Sequence, residues 1–148
     1  MDNQEFINTM NKYEACEEAI VWVGSKSLEE AYPICHRGDW LMWLVMFFNM
    51  DTKENTILIY CDFIRKVLEY STQPTEALLA SIDGILTSAV NAEHRDLIRL
   101  TIEAYEIYKV ALAGVPENNQ AAMFNDTADL VRQRVPVPSY SESSIYNI

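Results

Sequence analysis

The feature that most constrains this chain is an uninterrupted run of nine apolar residues, 40–48, with the sequence WLMWLVMFF. A membrane span needs about 20 consecutive apolar residues, so this run is too short to be a membrane anchor. A helix that is apolar on nearly every side must be covered by other elements of the protein. We therefore expect a central buried helix here, with Gly38 in the preceding turn and Asp39 as its N-cap.

The rest of the sequence predicts further helices joined by short loops. Only 4 glycines and 5 prolines interrupt 148 residues, and apolar side chains recur at helical spacing with no surviving strand pattern. We expect an all-α fold, a compact bundle of about six to seven helices. The single domain covers residues 1–135, and an extended or flexible tail follows over 136–148. The expected helices cover residues 11–24, 27–32, 40–49, 56–70, 75–90, 92–113 and 118–134.

Short motifs indicate where some of these helices begin. Asn11 with Glu14, and Ser27 with Glu30, have the spacing of capping boxes. Residues 1–10 are expected to be a loose or short helical lead-in. Gly84 lies inside an expected helix, where its missing side chain is expected to allow close approach of a neighbouring helix.

The formal net charge of −11 limits the partners that this chain can have. Contacts with phosphates need Lys and Arg, so neither nucleic acid nor an anionic membrane surface is an expected partner. A basic protein would be attracted by the negative field and would associate faster. The plainer alternative is that the charge serves only solubility.

The cysteines and the N-terminal sequence indicate a reducing, cytoplasmic location. Cys16, Cys35 and Cys61 are odd in number and include no CxxC pair, which argues against a disulfide framework. The N-terminus has no basic segment followed by an apolar run, so no signal peptide is expected. Cys16 and Cys61 are expected on core faces.

The segment CHRGDW, residues 35–40, contains residue types that are common in active sites. A metal site needs three or four ligands, but Cys35 and His36 are adjacent and their side chains diverge. A helix N-terminus could activate the Cys35 thiol, although a neighbouring His36 is poorly placed as its base. We expect no metal, no cofactor and no catalytic residue, and an enzyme centred on Cys35 is the least favoured alternative.

Residues 15–44 resemble the immunity proteins of bacterial polymorphic toxin systems. The shared pattern is A-C-x-x-A, a Trp, E-A-W and then C-x-R-G-D-W-L-x-W-L, with Tyr32 in place of the Trp after E-A. The segment ADLVRQRVP, residues 128–136, is similar to a second pattern, A-D-x-V-R-x-x-x-P. The motif residues, which we expect to be mainly structural, are Cys16, Trp22, Cys35, Gly38, Asp39, Trp40, Trp43, Asp129 and Arg132.

The resemblance implies a small, all-helical, non-enzymatic protein that binds and neutralises a toxin. Combined with the charge, it predicts an acidic inhibitor of a basic protein such as a toxin or nuclease. The sequence also resembles phage-borne proteins, so the alternative is a phage structural or host-takeover protein whose tail docks on a neighbouring subunit. A homo-oligomer formed through the tail is one form of this alternative. Candidate partner-binding residues are His36, Arg37, Glu17, Glu18, Glu29, Tyr140 and Tyr146.

Overall fold

The computed structural model describes residues 1–140, which form eight α-helices, one 3-10 turn and no strand. The expected all-α class is confirmed. The described residues contain one or two more helices than expected, because two separate helices precede the turn at Gly24. The helices are α1 Asn3–Lys12, α2 Glu17–Val23, α3 Leu28–Ala31, α4 Gly38–Phe47, α5 Lys53–Leu68, α6 Glu76–Ala89, α7 His94–Ala113 and α8 Glu117–Arg134, and the 3-10 turn is Tyr32–Ile34.

The prediction of one helix over residues 11–24 is wrong. Asp2 and Glu5 form a reciprocal capping box that starts α1 eight residues earlier than residue 11. The chain then leaves the helix at Glu14, whose φ of 59° is left-handed, and restarts at α2. Asn11 lies inside α1, so it cannot cap a helix. The second expected capping box, Ser27 with Glu30, is confirmed.

A side-chain clamp holds α1 against the turn that follows α2. Gly24 ends α2 with a φ of 56°, a conformation that favours glycine. The amide of Asn3 donates hydrogen bonds to the carbonyl oxygens of Gly24, at 2.9 Å, and Lys26, at 2.7 Å. These two helices therefore form a connected layer next to α4.

The apolar run forms α4 and lies in the core, as expected. Leu41 and Val45 are fully buried, and Met42 is almost so. The helix packs most closely on α8, while α5 packs on α7 and α7 on α6. One continuous hydrophobic core joins residues from all these helices.

The two glycines singled out in the sequence have different roles from those expected. Gly38 is not in a left-handed conformation; a Cβ there would lie 2.0 Å from Oγ1 of Thr127, so its role is to let α4 approach α8. Gly84 faces open space, with no atom within 4 Å of an added Cβ, so the expected close approach is wrong. The sequence therefore predicted that a glycine allows two helices to pack closely, but it assigned this role to Gly84 and not to Gly38.

Among the residues that the structure describes, no helix is both long and apolar enough to cross a membrane. The described start of the tail, residues 136–140, follows α8 without helical structure. There the Ser139 hydroxyl donates to the Met50 carbonyl at 3.3 Å, and Tyr140 packs edge-on against Phe48. Tyr146 lies outside the described residues.

Candidate functional site

A cavity of about 540 Å³ lies between the α1–α2 layer and the helices α4, α5 and α7. Its volume falls in the range typical of small-molecule sites, roughly 300–1,000 Å³. Phe6 and Met10 come from α1, and Ala19 comes from α2. Aromatic side chains form a large part of the remaining wall. The aromatic rings from α2, α4, α5 and α7 belong to Trp22, Trp40, Trp43, Phe47, Tyr60, Phe63, Tyr105 and Tyr108.

The three tryptophans, Trp22, Trp40 and Trp43, meet at this cavity. Trp40 and Trp43 are one helical turn apart on α4, so their side chains lie on neighbouring positions of the same face. Trp22 reaches Trp40 from α2, with ring centroids 6.0 Å apart and planes tilted by 53°. Trp43 stacks on Phe47 at 4.7 Å. All three tryptophans are partly buried, so they support the fold and also line the cavity.

Arg37 is held by charges and rings at the edge of the cavity. Its Nε and Nη2 donate to the two carboxylate oxygens of Asp39 at 2.9 and 2.8 Å. Its guanidinium lies 4.6 Å from the Trp40 ring and 4.2 Å from the Phe124 ring. Glu18 lies 3.9 Å away. Burial tends to lower the pKa of Arg37, but the Asp39 and Glu18 carboxylates outweigh it and raise the pKa.

The expectation that Asp39 is the N-cap of α4 is therefore wrong. Arg37 occupies the N-cap position and makes no side-chain capping bond, while Asp39 lies in the first turn. The Asp39 carboxylate still favours the helix N-terminus electrostatically. Its main task is to bind Arg37 in a bidentate pair, which fixes the guanidinium against two rings. Arg37 is thus a partly buried component of the site and not an exposed tip.

Three carboxylates also line the cavity. We use the name acidic rim for Glu14, Glu18 and Asp39, which all line the cavity, whereas Arg37 is the only basic residue among its lining residues. Glu17 is exposed beside them at the start of α2. Within the described residues, neither Glu14 nor Glu17 forms an ion pair. The cavity therefore opens through a negatively charged edge.

The hydroxyl of Tyr108 lies in the cavity wall without a hydrogen-bond partner among the described residues. The residue is only 7% exposed. Burial, followed by the negative charge of Asp39, raises the pKa of Tyr108, so the hydroxyl stays protonated. A buried hydroxyl without a hydrogen-bond partner is uncommon in proteins.

The cysteine and histidine of the motif do not form a reactive pair. Cys35 is 3% exposed, and burial raises the pKa of its thiol, which therefore stays protonated. Its Sγ donates to the Arg37 carbonyl at 3.6 Å, while His36 is exposed. Cys61 is buried as expected, but Cys16 is exposed at the N-cap of α2, so the core placement of Cys16 is wrong. No group of three or more metal ligands occurs within residues 1–140.

The two segments of the resemblance, far apart in sequence, are in direct contact. Arg132 donates to the carbonyl oxygens of Cys35, at 2.6 Å, and Tyr32, at 3.3 Å. Its other nitrogen binds Asp129 at 2.9 Å. The Tyr32 hydroxyl donates to the Val135 carbonyl at 2.5 Å. These bonds give the motif residues of α8 a structural task, which is to position the chain that leads into α4.

The other candidate residues are spread over the surface. The carboxylate of Glu29 accepts a hydrogen bond of 2.8 Å from the amino group of Met1, and this bond lowers the pKa of Glu29. Tyr140 lies in a separate surface depression that Glu29 also lines. The site on the cavity therefore includes Glu18, Arg37 and Asp39 from the predictions, but not Glu29 or Tyr140.

Sequence reasoning missed Glu14 and Tyr108. Glu14 was assigned to the third position of a helix, because its spacing from Asn11 matches a capping box, whereas it stands in a left-handed turn. Tyr108 has the position of an ordinary core residue on α7, and no sequence signal marks a hydroxyl that lacks a partner.

No family model, curated protein or solved structure matches this chain.

Proposed function

We propose that this chain is a non-enzymatic, cytoplasmic binding protein that covers a basic surface on another protein and neutralises it, as immunity proteins do with toxins. The observation that carries the proposal is the acidic rim, Glu14, Glu18 and Asp39, placed around an aromatic cavity. Protein interfaces with strong binding commonly combine aromatic anchors with complementary charge.

The charge distribution favours the layer formed by α1 and α2 as the binding face. Residues 1–24, which include both helices, contain five acidic side chains and one basic side chain, Lys12. Arg37 is neutralised by Asp39 and Glu18, and Lys26 is drawn back onto Trp22, with its Nζ 5.1 Å from the ring centroid. Few cations therefore offset the carboxylates on this face, and a basic partner would be steered towards it.

Partly exposed aromatic side chains near the rim supply the apolar part of such an interface. Trp22 is partly buried on α2, and Val21 beside it is 73% exposed. Tyr105, at the α7 side of the cavity, is 46% exposed. Tryptophan and tyrosine are enriched among the residues that dominate binding free energy at protein interfaces.

The sequence also suggested a phage structural or host-takeover protein whose tail docks on a neighbour. No contact of the described tail favours that alternative, because Ser139 and Tyr140 contact Met50 and Phe48 of the same chain. We therefore propose the binding function alone.

The proposal is tested by expressing the products of the genes that flank this one, each with and without this chain, and measuring growth of the host. We expect one flanking product to be basic and growth-inhibiting, and its toxicity to be relieved when the two proteins are expressed together. An active-site variant of that toxin, which does not inhibit growth of the host, can then be purified and used for binding measurements. If no flanking product is toxic, or if toxicity is unchanged by this chain, the immunity function is wrong.

A further inference from the structure

We propose that the cavity beneath the acidic rim is a binding site for a small aromatic amine, with the flat ring inside and the cationic amine at the rim. This inference goes beyond the proposed function, because it requires only this chain and no partner protein. It depends on three independent features of the cavity: its aromatic wall, its charged edge and the hydroxyl of Tyr108.

The aromatic wall selects a flat, apolar ligand body. Rings from five helices, α1, α2, α4, α5 and α7, surround the space, and aromatic pairs gain from stacked and edge-on contacts beyond the burial of area alone. The cavity volume of about 540 Å³ exceeds what a single water or ion needs and matches an organic molecule.

The charged edge selects a cation. Glu14 lies at the opening and forms no ion pair within residues 1–140, while Glu18 faces Arg37 at 3.9 Å and Asp39 binds Arg37 directly. The rings of this region already hold cations: Lys26 lies over Trp22, and Arg37 lies over Trp40. Because Trp22 and Trp40 each already face a side-chain cation, an ammonium at the opening would be attracted chiefly by the Glu14 and Glu18 carboxylates, with a further contribution from the other rings of the wall.

The Tyr108 hydroxyl selects a hydrogen-bonding group on the ring. It is buried, protonated and without a partner among residues 1–140. A ring N–H of a ligand packed beside the Tyr108 ring can donate to the hydroxyl oxygen once a small side-chain movement exposes that oxygen, so the hydroxyl gains a partner without burial of a charge. An indole that carries an aminoethyl chain combines all three features, so tryptamine is the probe of choice.

The first experiment uses isothermal titration calorimetry on the full chain to compare the affinities of three ligands that share an indole ring and differ in charge. The probes are tryptamine, which is cationic, 3-methylindole, which is neutral, and indole-3-propionate, which is anionic. We expect tryptamine to bind most tightly and the anion to bind at least about tenfold more weakly. Absence of tryptamine binding, or equal binding of the anion, would overturn the proposal.

The second experiment locates the ligand with variants of the cavity wall. Ala19→Phe places a ring into the space and is expected to abolish tryptamine binding, with folding checked by circular dichroism and Tm. Tyr108→Phe keeps the shape but removes the hydroxyl, so we expect about fivefold weaker binding of tryptamine. Binding of 1-methyltryptamine, which lacks the ring N–H, should not change in this variant.

The Tyr108→Phe comparison keeps the proposal testable even if Ala19→Phe does not fold. If Tyr108→Phe weakens both ligands equally, or neither, the assigned hydrogen bond is wrong. The acidic rim is tested with Glu18→Gln, which should reduce the preference for tryptamine over 3-methylindole. Because all these measurements use this chain alone, their failure is separate from failure to neutralise a toxin.

Discussion

The guanidinium of Arg132 donates a hydrogen bond of 2.6 Å to the backbone carbonyl of Cys35, a residue 97 positions away in the sequence. The same nitrogen reaches the carbonyl of Tyr32. These bonds satisfy carbonyl groups where the 3-10 turn ends and the chain turns into α4. The position of Arg37 and Asp39 at the cavity edge therefore depends on a side chain from the last helix.

Replacing Arg132 by Ala should destabilise the fold by about 2–3 kcal/mol, because the carbonyl groups of Cys35 and Tyr32 lose their hydrogen bonds from the charged guanidinium. Arg132→Lys should restore part of the loss. The control is Arg99→Ala, which removes an exposed pair with Glu103 on α7 and should cost less than about 1 kcal/mol. Urea unfolding measures all three variants. Equal losses for Arg132→Ala and Arg99→Ala would contradict the assigned role.

The two helical glycines form a second matched pair. Gly38→Ala places a Cβ 2.0 Å from Thr127 Oγ1 and 2.7 Å from the backbone nitrogen of Ala128, so α4 and α8 must separate. We expect a loss of at least about 1–3 kcal/mol. Gly84→Ala meets nothing within 4 Å and should stabilise α6 by about 0.5–1 kcal/mol. The Tm should fall in Gly38→Ala and rise in Gly84→Ala. A shift of both Tm values in the same direction would disprove the packing role of Gly38.

Loss of the hydroxyl should affect the stability of the fold differently at two buried tyrosines, Tyr32 and Tyr108. The hydroxyl of Tyr32 donates to the Val135 carbonyl, so Tyr32→Phe should cost about 1–2 kcal/mol. The hydroxyl of Tyr108 has no partner among the described residues, so Tyr108→Phe should be neutral or stabilising by up to about 1 kcal/mol. Denaturant midpoints measured without added ligand distinguish the two. A clear loss of stability in Tyr108→Phe would show that its hydroxyl is already satisfied.

The buried thiol of Cys61 predicts a loss of stability at alkaline pH. Burial raises the pKa of Cys61 from its ordinary value of 9.0 to about 11. The unfolded chain therefore releases this proton first. The stabilisation is complete below about pH 9 and is lost as the pH rises to about 11, by about 2 kcal/mol. Tyr32, whose pKa burial raises to about 12, contributes in the same direction at higher pH.

The pH effect is checked by urea unfolding from pH 8 to pH 10.5. Cys61→Ala should be less stable overall but should lose less stability with pH than the unmodified chain. Cys16→Ala is the control, because it removes an exposed thiol and leaves the buried thiol of Cys61 in place. Identical slopes in all three proteins would contradict the assignment to Cys61.

The sequence predicted the helical class and the central helix because periodicity and a long apolar run are local signals. It failed over residues 11–24, where two capping boxes competed and the Asp2–Glu5 box started an earlier helix. It also assigned the close approach to Gly84 and not to Gly38, since only the packing of α4 on α8 decides which glycine faces a neighbour.

The candidate site was only partly predictable for the same reason. Glu18, Arg37 and the tryptophans were identified from charge and motif. The cavity itself depends on how the α1–α2 layer lies over α4 and α7, which no local pattern encodes. Contacts over long sequence distances, such as Arg132 with Cys35, likewise became visible only in the fold.

The most direct test of the proposed function is the association rate with the inactive toxin variant, measured by stopped flow at several salt concentrations. Two double variants carry the same change in net charge: Glu14→Lys with Glu18→Lys at the acidic rim, and a control variant with Glu76→Lys at the start of α6 and Glu93→Lys at the N-cap of α7. We predict that the rim variant associates at least about tenfold more slowly at low salt and loses most of the salt dependence, while the control variant stays close to the unmodified chain. Equal rates for the two variants, or association that ignores salt, would contradict binding through the acidic rim.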